Sequence, residues 1–160
     1  MKKQTVFKIA FCVLLVAALV YGALDLRLGR NTLHATFDAV RNGDFTAQAP
    51  QGETRELYSQ RLKITLVNEN DYDVTVLGLR VEKGDERDFR IERTPEQAVT
   101  IPAHTTEPQN VWFRIVSYDT DNDAVLAALR KEYAIRIVYA DAASGVTSPD
   151  ADAARAEWVR

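Results

Sequence analysis

Apolar and polar positions divide the chain into two unlike parts. Val6 to Leu24 is apolar all round, interrupted only by Lys8, and Ile9 to Leu24 carries no charge. A bilayer core of about 30 Å takes roughly 20 residues of helix, so this run is long enough to span one. Lys8, near its start, can reach the interface with its amine. An all-round apolar helix behind a basic start points to a membrane segment rather than to a buried helix. The length favours an uncleaved anchor at residues 6–24 behind a cytoplasmic stub at 1–5. A cleaved signal peptide is the alternative, but its nearest small-x-small site, Val20-Tyr21-Gly22, is poor at its first position. Lys2, Lys3 and Lys8 before the span outnumber Arg27 and Arg30 after it, which places the N-terminus in the cytoplasm. In a Gram-negative cell the expectation is therefore a single-pass inner-membrane protein with its C-terminal domain in the periplasm.

Beyond the run the period changes to two. Leu62, Ile64 and Leu66 alternate with Lys63 and Thr65, the signature of a half-buried strand. The stretch Asn68 to Asp73 supplies turn chemistry. In the next strand Val74 and Val76 share one phase, while Leu77, Leu79 and Val81 share the other. A slip of one residue beside Gly78 predicts a β-bulge. Further strands are expected around Phe89 and Ile91, at Val99 to Pro102 as a short edge strand stopped by proline, at Val111 to Tyr118, and at Tyr133 to Tyr139. Leu26, Leu28 and Leu33 alternate with charged residues and read as the approach to the first strand. One helix interrupts the pattern over residues 123–132, with Asp123 as its N-cap and Val125, Leu126 and Leu129 at helical spacing. It is expected to cross from one sheet to the other. Short strands at close spacing predict an antiparallel sandwich. The domain is placed at residues 25–143, and the Ala-, Asp- and Ser-rich residues 144–160 are expected to form a flexible tail with Trp158 as the one residue able to dock.

Charge and chemistry narrow the function classes. Residues 25–160 hold 17 basic against 23 acidic residues, a net charge of −6. That balance lacks the basic surplus that drives phosphate-backbone binding, so nucleic acid is not an expected partner. Cys12 is the single cysteine, which excludes an internal disulfide, a thiolate zinc site and an iron–sulfur cluster within this chain. It also follows the bulky Phe11, which does not suit a lipoprotein signal. The acids of Asp119 to Asp123 suggest calcium, but Ala124 and Arg130 stand where an EF-hand loop needs glycine and a bidentate acid. A turn leading into the helix is the plainer reading. His34 and His104 lack neighbouring partners for catalysis or metal ligation. No nucleophile elbow surrounds a serine, and no glycine-rich phosphate loop occurs. The expectation is a non-catalytic protein without cofactor or metal. Trp112 and Tyr118 form either an exposed aromatic patch for a partner or part of the core, and their position on a strand favours the core.

The run Ala23 to His34, A-L-D-L-R-L-G-R-N-T-L-H, follows the span directly. It resembles the exit from the last membrane helix in the FixG/CcoG family of respiratory accessory proteins, where an immunoglobulin-like domain follows. Arg61 to Leu79 is similar to that family's strand–turn–strand pattern, and Val99 to Pro108 to its V-x-V-P-A-G turn, with His104 in the glycine's place. The resemblance covers about residues 20–118. It implies an immunoglobulin-like sandwich tethered to the membrane, contacting another inner-membrane protein such as a terminal oxidase subunit or assembly factor. The interaction candidates read from the residues themselves are Trp112, Tyr118 and His104. The family's cysteine-rich ferredoxin-like portion has no counterpart in these residues, so its redox chemistry does not carry over. The helix at 123–132 is an addition. Similar strand and I-P-A patterns occur in late-embryogenesis domains of the WHy type, which makes an envelope-stress domain binding lipid or unfolded chains the alternative.

Overall fold

In a computed structural model of the protein, residues 33–160 are described, apart from 86 and 88. The anchor assigned to residues 6–24 and the exit through Asp25, Arg27 and Arg30 lie outside the described residues. Among the described residues, no helix is long and apolar enough to cross a membrane.

The described chain is an antiparallel β-sandwich. One sheet comprises β1 (Leu33–Asn42), β2 (Tyr58–Asn68), β6 (Gln109–Ser117) and β4 (Phe89–Ile91), in the order β1-β2-β6-β4. The other comprises β5 (Val99–Ile101), β3 (Val74–Lys83), β7 (Ala134–Asp141) and β8 (Arg155–Trp158), in the order β5-β3-β7-β8. The alternation read from the sequence is the alternation of the core. Leu62, Ile64 and Leu66 of β2, Val111, Phe113 and Ile115 of β6, and Ile135 and Ile137 of β7 are all fully buried between the sheets.

The bulge lies where the phase slips. On β3 the pairing with β7 shifts between Val76 and Gly78. Val74, Val76 and Leu79 then face the main core, while Leu77 turns outward to pack on Val138 and Ala140. Sequence phase alone assigned Leu77 to the side of Leu79; the extra residue of the bulge separates them. Glycine is required at 78 because a Cβ there would lie 2.5 Å from the Arg93 carbonyl oxygen. That oxygen accepts the Leu79 amide at 2.7 Å and draws the segment after β4 toward the second sheet.

The helix α1 (Asn122–Glu132) crosses between the sheets, as expected, and buries Val125, Leu126 and Leu129. Its N-cap is Asp121 and not Asp123. The Asp121 carboxylate accepts the amides of Asp123 at 2.9 Å and Ala124 at 3.3 Å. Asp119 in turn accepts the Asp121 amide at 2.9 Å. The acidic run is thus spent on successive backbone amides at the helix entry. Gln60, fully buried on β2, fixes that entry to the sheet: it accepts the Ser117 hydroxyl at 2.7 Å and donates to Asn122 at 2.9 Å.

The C-terminal residues depart from the expected loose tail. Arg155 to Trp158 pair with β7 from Tyr139 back to Arg136, and Val146, Ala154 and Ala156 cover the outward patch around Leu77. Val159 is buried and bridges Ala35 of β1 in parallel, while the Phe37 amide donates to the Arg160 carbonyl at 2.8 Å. This segment therefore joins one sheet to the other. Such an extended, Ala-rich stretch has little strand propensity of its own; pairing supplied by β7 and β1 orders it.

Candidate functional site

The outward side of β6 carries Trp112, Arg114 and Val116, alternating with the buried Val111, Phe113, Ile115 and Ser117. Trp112 is half-buried on this outer face and is not part of the core, which corrects the reading that strand position favoured. Cations from the neighbouring strands cover its ring. The Arg61 guanidinium lies 4.7 Å from the ring centre, that of Arg41 5.7 Å, and the Lys63 amine 6.0 Å. Cation–π contacts of this kind contribute about 0.5–1 kcal/mol each at exposed sites.

Register explains how these residues meet. Lys63 faces Trp112 across β2 and β6, while Arg41, Arg61 and Arg114 face one another across β1, β2 and β6. Two carboxylates serve the cations. Asp38, the bulged residue of β1, is ion-paired with Lys63, whose hydrogen bond holds the acid below its ordinary value. Glu96, on the crossing segment between β4 and β5, is largely buried and pairs with Arg61, accepting its Nε at 2.9 Å. It also lies 3.9 Å from Arg114 Nε. The Glu96 amide donates to the Trp112 carbonyl at 2.9 Å, which fixes the carboxylate between the arginines.

Tyr118 continues the same outward phase, but six positions at about 3.3 Å each put it about 20 Å along from Trp112. Its hydroxyl donates to Glu53 at 2.9 Å and its ring lies 3.6 Å beneath the Arg55 guanidinium. Hydrogen bonds from Arg55, and then from Tyr118, lower the Glu53 carboxyl to about 2. Burial, and then Glu53, raise the Tyr118 phenol.

His104 is not part of this face. It sits in the exposed turn between β5 and β6, 3.3 Å from Asp71, with a left-handed backbone at φ 52°. That conformation is one that glycine adopts more readily than residues with a Cβ. His34, at the start of β1, lies 3.4 Å from Glu69. Among the described residues no three His, Cys, Asp or Glu side chains gather to hold a metal ion.

The structure thus gathers Trp112 with four residues that sequence reasoning did not single out: Arg41, Arg61, Arg114 and Glu96. A signal existed in the arginine at 114, in phase with Trp112 and out of phase with the apolar positions. No family model matches the chain, and no curated protein matches it either.

Proposed function

We propose that the chain is a non-catalytic interaction module of immunoglobulin-like type, held at the inner membrane by residues 6–24 with its sandwich in the periplasm, where it engages another membrane protein. The observation that carries this reading is Trp112, kept half-buried beneath Arg41, Arg61 and Lys63 on an outer sheet face. Tryptophan and arginine are the residues in which binding energy concentrates at protein interfaces. Tethering would raise the effective concentration of such a face beside its partner. Strand order supports the immunoglobulin-like type: β1-β2-β6-β4 corresponds to an A-B-E-D sheet and β3-β7-β8 to C-F-G, with β5 added beside β3. The setting beside a respiratory terminal oxidase comes from the sequence resemblance.

The test is purification of the tagged full-length chain from native membranes in mild detergent, alongside Trp112→Ala and an anchor-only control. Oxidase subunits or their maturation factors, enriched by the native chain and depleted by Trp112→Ala, are the expected result. Equal recovery in all three samples would count against the reading.

A further inference from the structure

Arg41, Arg61 and Arg114 stand side by side on three adjacent strands. Like charges directly opposed across strands destabilise a sheet, so such a row requires anions. The chain places one carboxylate in direct contact with the row, Glu96, which engages Arg61 closely and Arg114 at 3.9 Å; Asp38 acts on Arg41, and Asp44 on Arg61, only through space. Arg41 is exposed and has no ion-pair partner among the described residues. Three cations thus have one carboxylate in direct contact, in a domain whose net charge from residue 25 onward is −6.

We infer that this row is a docking surface for a carboxylate-rich peptide segment of the partner, and that Glu96 occupies one of its carboxylate positions in the unbound chain. The inference rests on the interaction reading above and specifies the partner's chemistry. Arginine presents five donors in a planar fork that matches a carboxylate, and Glu96 uses only part of that capacity. Its seat, built from Arg61 and Arg114, demonstrates the geometry a second carboxylate would meet. The half-buried Trp112 beside the row supplies a rigid apolar floor. An anionic lipid surface fits less well, because lipid binding gains much of its strength from inserted apolar side chains. Among the described residues the only large exposed apolar side chain is Trp158, on the other sheet. Glu96 competes with the incoming segment, so its removal strengthens docking.

The experiment is fluorescence anisotropy of a labelled oligoglutamate peptide titrated with full-length chain in detergent. Binding should tighten about tenfold in Glu96→Gln, the equivalent of about 1.4 kcal/mol. It should weaken by a similar factor in Arg41→Gln and in Arg114→Gln, while Arg80→Gln on the opposite sheet leaves it unchanged. Thermal unfolding of each variant confirms that the sandwich persists. Equal weakening by Arg80→Gln would show general charge attraction and overturn the proposal, as would no change in Glu96→Gln. Vesicles containing phosphatidylglycerol that bind with the same arginine dependence, where the peptide does not, would overturn it in favour of lipid. The membrane purification separates the two readings. If the native chain and Arg41→Gln/Arg114→Gln capture the same membrane protein equally, this inference fails and the interaction reading stands. If the native chain captures none, the interaction reading itself falls.

Discussion

Tyr139 is fully buried on β7, and burial, with Tyr72 beside it, raises its phenol above the ordinary value of 10.0. The folded state therefore holds this proton more tightly than the unfolded state does. The resulting stability is fully present below the ordinary phenol value and is lost as pH rises through it toward the folded value. The urea midpoint should hold steady between about pH 7 and about pH 9 and fall by about pH 11, more gently in Tyr139→Phe. Tyr58 and Tyr118 are also raised, so some slope should remain in that variant. At the same scale, the placement of Trp112 was legible in principle. In Val111 to Tyr118 the apolar Val111, Phe113 and Ile115 share one phase, and Arg114 marks the other as solvent-facing. Reading aromatic character before phase is what sent Trp112 to the core. The gathering of Arg41, Arg61 and Arg114 was not legible, because it depends on which residues face one another across β1, β2 and β6.

At the scale of elements, the pairs of strands with clean alternation declared themselves, and the bulge announced itself beside Gly78. Gly78→Ala should cost about 1–3 kcal/mol in chemical denaturation, since the new Cβ must displace the Arg93 carbonyl and with it the bond to the Leu79 amide. The helix was visible from its apolar spacing, but its cap was not. Asp119, Asp121 and Asp123 recur at every second position, and each could start a helix; the bond from Asp119 to the Asp121 amide decides the frame. Asp121→Ala should therefore lower stability by about 1 kcal/mol, whereas Asp123→Ala, in the exposed first turn, should cost only a few tenths. A reversed order in paired denaturation curves would refute this capping arrangement. The strand β8 left no comparable signal. R-A-E-W is short and follows residues typical of loops, so only its partners make it a strand.

In the whole molecule the two sheets are joined at one side by the segment that leaves β8. Val159→Ala should reduce the unfolding free energy by about 1–2 kcal/mol, from lost burial and the cavity left behind. Hydrogen exchange gives the sharper reading: the Phe37 amide, which donates to Arg160, should exchange faster in this variant, while the amides between β2 and β6 keep their protection. The closing contact also has a kinetic side. Ala35 and Val159 are separated by almost the whole described domain, so their pairing is among the most non-local events in its folding. Until residue 160 has been synthesised, β1 has a strand neighbour on one edge only, and its other edge is met just by Arg130 of α1, which donates to the Phe37 carbonyl. For that interval the backbone groups of that edge which Arg130 leaves unpaired are a template for a passing strand. The rate of synthesis, rather than the stability of the finished sandwich, sets how long newly made copies remain exposed to one another.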